Sequence, residues 1–281
     1  MRKIIVVCFV LTGLSINAQE KKVDSTSNWT KKGVFSLLFN QASFSNWIAG
    51  GENSVAGTVS INYDFNYKNK EGNWTWDNKV IAKYGLNNVS DKGTRKTDDH
   101  FEFNSLVGKK ASKNWSYSFL FNLRTQFTTG YDYSSTPKRA TSEFFSPGYV
   151  TLGPGMVYKK SDNLSLHLSP ATTKATFVSS DFSGQYGTDL GKTSRYELGF
   201  YAASYYKTKL MENVSIENIF NAYSNYLDDP QNIDINYQIN FVMQINKYLS
   251  TNLNFHMIVD DNASKQVQFK EVFGLGVNYI F

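Results

Sequence analysis

Cysteine is almost absent from this sequence: Cys8 is the single one in 281 residues, and it falls inside an N-terminal apolar run. The chain beyond that run therefore has no disulfide and no thiolate-held metal, and it tolerates any export compartment. Histidine is scarce too. His100, His167 and His256 show no metal-ligand spacing, and no G-x-S-x-G string occurs, so the usual zinc and serine-hydrolase signatures are missing. Long hydrophobic runs are also lacking. No stretch approaches the ~20 apolar residues of a transmembrane helix, and the mean hydropathy is -0.39, which excludes a helical membrane protein. Only 5 prolines and 19 glycines interrupt the chain, against 18 Tyr and 21 Phe, a composition that favours strands.

The first residues, "MRKIIVVCFVLTGLSINAQE", combine basic Arg2 and Lys3, an apolar run over 4–14 and small or polar residues to Ala18. This pattern is that of a secretory signal peptide over 1–18, cleaved after Ala18. Cys8 has no lipobox-like context and belongs to the signal. Taking Arg2 and Lys3 from the 29 basic residues, against 24 acidic ones, leaves a net charge of +3. That weak basicity gives no reason to invoke nucleic acid.

From Val59 the chain reads "VSINYDFNYK", in which Val59, Ile61, Tyr63, Phe65 and Tyr67 alternate with polar residues. Such period-2 alternation marks a strand with one apolar and one polar face. It recurs in "WSYSFLFNLRTQF" and "IDINYQINFVMQIN". Twelve segments are expected as strands: 34–44, 54–69, 74–89, 99–111, 115–129, 148–159, 163–178, 194–208, 213–226, 232–246, 249–260 and 267–281. Short connections such as "NKEGN", "KKASKN" and "KKSDN" alternate with longer ones such as "LNNVSDKGTRKTDD" and "GYDYSSTPKRATSEFFSP". An even strand number with short turns on one side and long loops on the other is the plan of an outer-membrane β-barrel.

Charge sorts with the connections. The short turns carry ten basic residues against three acidic ones, whereas the pairs Asp98 with Asp99, Asp228 with Asp229 and Asp260 with Asp261 fall on the other side. Lysines suit anionic headgroups. The Asp pairs offer oxygen atoms of the kind Ca²⁺ takes, but solvated loop ends or cation bridges to lipopolysaccharide account for them equally, and no metal or cofactor is expected. A secreted β-sandwich also alternates. Its strands are shorter, however, and here Trp74, Trp76, Trp115, Tyr158 and Tyr206 sit next to the short turns, where an interfacial girdle belongs. The expected fold is an all-β, transmembrane, antiparallel up-and-down barrel over 33–281, preceded by a periplasmic segment over 19–32.

Two details of the wall follow from parity. In "LSLHLSPATTKATFV", continuing the outward parity of Leu164, Leu166 and Leu168 would aim Lys174 at lipid; a β-bulge at Pro170 or Ala171 restores it to the inward face. Such a bulge either adjusts the barrel's shape or opens a lateral gate. Around the turn Glu71-Gly72, Asp64 pairs with Lys79 and Ser60 with Lys83; around Lys113, Glu102 falls opposite Arg124. These inward charges, with Asp77, Glu197, Glu217 and Asp234, either line a hydrated lumen that orients a polar solute or form charge ladders that fill it. His167 and His256 also face inward, whereas lipid-cutting barrels need Ser and His on the lipid face, so enzyme activity is not expected.

The string "NQASFSNWIAGGENS" over 40–54, with "WTWDN" over 74–78, "SDNLSLHLSPATTKATFV" and "VQFKEVFGLGVNYIF", resembles a Bacteroidota domain-of-unknown-function family of outer-membrane barrels whose most specific part is N-W-x-A-G-G-E-N-S. The resemblance implies an outer-membrane location and no assigned activity. Within that string, Trp47, Glu52 and Asn53 either anchor the first outer connection at the interface or fold inward to constrict a pore. The chain closes on "EVFGLGVNYIF", in which Gly276, Tyr279 and Phe281 resemble the terminal pattern read by the barrel-assembly machinery. In a closed barrel this strand pairs with the first, near Val34 to Phe44, because no edge is left. The expected function is a passive or selective pore for small polar solutes, with outer-membrane lipids, lipopolysaccharide and the assembly machinery as partners. A side-chain-filled structural or interaction barrel is the alternative, and a lipid-modifying enzyme the third.

Overall fold

Residues 27–43, 52–161 and 163–281 are described by the computed structural model. The signal-like segment 1–18 and Trp47 lie outside them. Period-2 sequence becomes strand almost throughout: β1 (Trp29–Ala42), β2 (Ser54–Lys68), β3 (Trp74–Val89), β4 (Gly93–Lys110), β5 (Trp115–Thr125), β6 (Gly130–Asp132), β7 (Arg139–Ser142), β8 (Gly148–Ser161), β9 (Leu164–Phe177), β10 (Ser194–Met211), β11 (Val214–Asn225), β12 (Ile233–Gln244), β13 (Leu249–Asp260) and β14 (Ser264–Ile280). Twelve of them close one antiparallel barrel in the order β1-β14-β13-β12-β11-β10-β9-β8-β5-β4-β3-β2, and β6 with β7 forms a separate hairpin. Strand pairing begins at Trp29, opposite Tyr67, four residues before the boundary read from sequence.

The seam forms between first and last strands, from Val34 opposite Ile280 to Phe39 opposite Leu275. Phe281 extends it through two backbone bonds with Gly33, at 2.7 and 3.0 Å. Its ring stacks on Tyr63 and Tyr279 and occupies the space where a side chain at position 33 would stand. Glycine is therefore the residue that lets the terminal aromatic lie flat on the outer wall.

The outer wall is apolar. Phe35, Leu37, Phe39, Val59, Ile61, Phe119, Leu198, Phe269, Phe273 and Leu275 are all exposed. Toward the short turns the belt ends in aromatic side chains, including Trp29, Trp74, Trp76, Tyr117, Tyr206, Tyr248 and Phe281. An apolar band closed by aromatics is the reverse of a water-facing surface, and no helix among the described residues is long and apolar enough to cross a membrane.

Not every long connection of the sequence is a loop. "LNNVSDKGTRKTDD" continues as ladder, with Leu86 opposite Lys96 and Val89 opposite Gly93, after a bulge at Gly85/Leu86. Residues 90–92 alone turn the chain, and Asp91 and Gly93 take positive φ there. The 18 residues of β4 would extend about 60 Å, well past an apolar band of ~25 Å. Both faces of that extension meet water, so its side chains lose the alternation by which strands are recognised. The β13–β14 connection is likewise a tight turn over 261–263, and "KTKLMEN" is largely the end of β10. The connections that stay long are 126–147, which carries the β6–β7 hairpin, and 178–193, with a 3-10 turn at Ser180–Phe182. These two dock on each other: the Tyr186 hydroxyl donates to the Thr141 carbonyl, and burial pushes the Tyr186 phenol up. At the hairpin, the Ser134 hydroxyl and amide hold Asp132 below the usual carboxylate range.

The bulge expected at Pro170 or Ala171 is present. Gly199 of β10 stands opposite Thr172, and Tyr201 opposite Ser169, so Phe200 faces two residues of β9. The β8–β9 register shifts at the same height, between Leu152 and Met156. The dent is closed by polar bonds: Thr172 Oγ1 donates to Ser169 Oγ at 2.6 Å, and Ser169 Oγ to the Pro154 carbonyl at 2.6 Å. Backbones come so close that a Cβ at Gly155 would stand 2.4 Å from the Leu168 carbonyl oxygen.

Candidate functional site: the lumen

Inward-facing residues of the strands enclose a cavity of about 550 Å³ that runs from Asn66, Thr75 and Lys159 near the short turns to Lys174, Asp234 and Asp260 near the outer mouth. The expected registers hold: Asp64 pairs with Lys79, Ser60 with Lys83 and Glu102 with Arg124. Asp64, Lys79, Lys83, Glu102, Arg124, Glu217 and Asp234 line the cavity. Glu197 does not; it is buried in an ion-pair cluster described below. The lining is not wholly polar, since Leu106 and Leu120 face each other across β4 and β5 and also border the cavity.

Charge is distributed in layers. Near the short turns, Lys159 of β8 reaches Asp77 of β3 at 3.8 Å, bridging strands that are three apart in the barrel. Near the outer mouth, Lys174 of β9 contacts Asp234 of β12 at 2.7 Å, Glu197 of β10 at 3.7 Å and Asp260 of β13 at 3.9 Å. Arg195 adds contacts to Glu197 at 3.4 Å and Asp228 at 3.1 Å. On the opposite side of the mouth, Lys270 of β14 meets Asp98 of β4 at 3.0 Å. A second, outer cavity of about 330 Å³ lies under the β6–β7 hairpin, and both Lys270 and Asp98 belong to its lining. That ion pair therefore belongs to the outer vestibule.

The middle layer is different. Glu102 lies opposite Arg124 in register, yet its carboxylate is taken by His100 Nε2 at 3.0 Å, Asn104 at 3.0 Å and Asn122 at 2.8 Å. Glu217 accepts from Tyr205 at 2.8 Å and Asn240 at 3.1 Å. Arg124 instead stacks on the Tyr149 ring, 4.7 Å from its centroid. His100, which the sequence reading left unplaced, faces the cavity together with Glu102; two-residue spacing from Glu102 already carried that signal.

The remaining expected residues fall elsewhere. Glu52 pairs with Lys92 at 2.9 Å on the exposed tip of the β2–β3–β4 wall, and the Asn53 carbonyl accepts from Ser90 N. Neither borders the cavity. The physical reason is the ladder: Ser54 opposite Val89 carries this end of β2 outward with the extended hairpin. The Asp pairs are split among protein donors. Asp99 binds Lys96 at 2.7 Å and the amides of Phe127 and Thr128, and Asp261 accepts from Asn232 at 2.9 Å. Asp234, Asp260 and Asp261 do bring oxygens within 4.8 Å of one another, but the Lys174 ammonium already pairs with Asp234 and Asp260. His167 meets the Ser118 hydroxyl at 3.1 Å; both side chains are buried on the inward side, away from the belt where acyl chains would lie.

These features define a closed twelve-stranded antiparallel barrel with an apolar exterior and a charged interior. Residues 39–131, β1 to β6, match a family described as protein of unknown function (DUF3078). Among solved structures, the chain is similar to an outer-membrane channel of Pseudomonas putida F1, at 10% identity and a TM-score of 0.41 over 89% of this chain and 94% of that one. It is also similar to the translocator domain of the autotransporter NalP of Neisseria meningitidis, at 10% identity and a TM-score of 0.39 over 89% and 88%. A search of curated proteins gives no match.

Proposed function

We propose that this protein is an outer-membrane pore for small polar solutes. The observation that carries this reading is the cavity of about 550 Å³ that lies along the lumen and is bordered by ionised and amide side chains, enclosed by an exterior suited only to lipid. Ionised groups inside a barrel keep water there, because burying them dry costs far more than any pairing returns. Twelve strands lie between filled eight-stranded barrels and open sixteen-stranded porins, which suits solutes of small size. Purified barrel reconstituted in planar bilayers should give discrete conductance steps; a silent membrane across salt and voltage would overturn the reading.

A second reading, a barrel closed by its own side chains, is favoured by the bridges from Lys174 and Lys270 across the mouth. It makes the protein a structural or interaction barrel whose docked loops meet envelope partners. A single measurement separates the two, since conductance belongs to the first alone.

The resemblance to Bacteroidota barrels over 46–54, export by the segment 1–18, and contacts with lipid and lipopolysaccharide belong to the same proposal. So does recognition of Gly276, Tyr279 and Phe281 by the assembly machinery. Deleting Phe281 removes the two bonds to Gly33 and the terminal aromatic together, and should lower the fraction of chain inserted in outer-membrane preparations; unchanged insertion would refute it.

A further inference from the structure

We infer that the middle of the lumen holds a binding site for small oxyanions, of carboxylate or phosphate type, formed by Lys83 and Arg124. The inference deepens the pore reading by naming a solute class, and rests on it for transport though not for binding.

The six carboxylates that border the cavity are all engaged. Asp64 is met by Lys79, Asp77 by Lys159, and Asp234 and Asp260 by Lys174; Glu102 and Glu217 are held by the side-chain donors given above. Of the five lysines and arginines that border the same cavity, three serve those carboxylates. Lys83 and Arg124 do not: among the described residues neither has a carboxylate oxygen within 4.0 Å, and neither side chain makes a hydrogen bond. The excess is local. Lys83 stands beside His100 in the β3–β4 ladder, and Arg124 beside Glu102 in the β4–β5 ladder, which sets the two cations on strands about 10 Å apart and two residues apart in height.

Asp98, Glu102 and Glu217 lie within electrostatic reach of Lys83, but each is held by other donors, Asp98 by Lys270 and Glu217 by Tyr205 and Asn240. His256 of β13 lies within electrostatic reach of Lys83, Arg124, Lys270 and His100, and its Nε2 is tied to Asn236 at 3.0 Å. Glu102, beside Arg124 in the ladder, has its oxygens turned to His100, Asn104 and Asn122, which leaves the Arg124 fork free. A guanidinium held by stacking on Tyr149 presents a planar set of donors suited to two oxygens of one anion. Lys83 supplies a mobile point charge for the same anion or for its second acidic group. Binding here raises the local concentration of anions and steers them through a narrow lumen.

The experiment compares wild type with the double variant Lys83→Met and Arg124→Met, with Lys83→Arg as the conservative control and gel heat-modifiability confirming that each barrel is closed. In planar bilayers under a KCl gradient, the wild type and Lys83→Arg should show a reversal potential on the chloride side. Inorganic phosphate or succinate added separately should reduce that chloride current, and both effects should vanish in the double variant. The response to phosphate against that to succinate tells which oxyanion the site favours. A wild type without anion preference, or a double variant that keeps it, overturns the site and leaves the pore. Absence of any current removes the pore reading instead, and calorimetric titration of the folded barrel with phosphate and with succinate then decides the site. Heat lost in the double variant supports it, and no heat in the wild type overturns it.

Discussion

Lys174 and Lys83 face the same lumen, and their surroundings differ in nearly every respect. Lys174 lies at the outer mouth within reach of three carboxylates on three other strands and over the Tyr223 ring at 5.3 Å. Lys83 lies in the middle layer with His100 beside it and no carboxylate in contact. The first lysine ties strands together across the barrel, whereas the second offers its charge to whatever enters. Residue type and inward parity are the same in both, so the difference between a structural and a functional cation comes from what the closed sheet brings opposite.

The largest expected effect comes from Lys174→Met. It takes the cation from Asp234 and Asp260 and leaves Glu197 with Arg195 alone, and breaking a buried pair on one side typically costs about 3–5 kcal/mol. Denaturant unfolding in detergent should show it, and a loss under ~1 kcal/mol would erase the contrast with Lys83. Next is Gly155→Ala, in the dent below Lys174. The added methyl meets the Leu168 backbone oxygen, and overpacking of this kind costs about 1–3 kcal/mol; unchanged stability in the same unfolding measurement would mean that the bulge is soft.

A smaller structural effect is expected from Asp98→Asn, which removes the charge partner of Lys270 in the outer vestibule. Stability should fall by less than about 1 kcal/mol, while single-channel conductance rises as the bridge opens. Conductance that stays the same would place the narrow point elsewhere. Least disturbing to the fold is Lys83→Met alone, within about 0.5 kcal/mol of wild type. Its effect should appear in ion preference, and a stability loss comparable to that of Lys174→Met would show that Lys83 is structural after all.

Much of this was readable along the chain. Strand number, the inward and outward faces and the hairpin registers of Asp64 with Lys79 and Glu102 with Arg124 follow from period-2 alternation and turn position. The bulge at Pro170 and Ala171 follows from the cost of aiming Lys174 at lipid. The sites where reading failed share one cause: parity tells which neighbours flank a residue and says nothing about the far wall. Lys270 with Asp98, Lys174 with Asp260 and Lys159 with Asp77 join strands three or four apart, and no local pattern announces them. The choice between anchor and constriction at Glu52 and Asn53 was not legible, because the extended β3–β4 ladder carries no alternation.

The sequence by itself determined that this chain makes a closed sheet with an apolar exterior, because a strand's two faces are written in every second residue. Only the tertiary structure decided which inward charges are consumed and which remain. Closing twelve strands brings distant residues across the lumen, and it is the distance between them, set by curvature and register, that separates a cross-brace from a binding group.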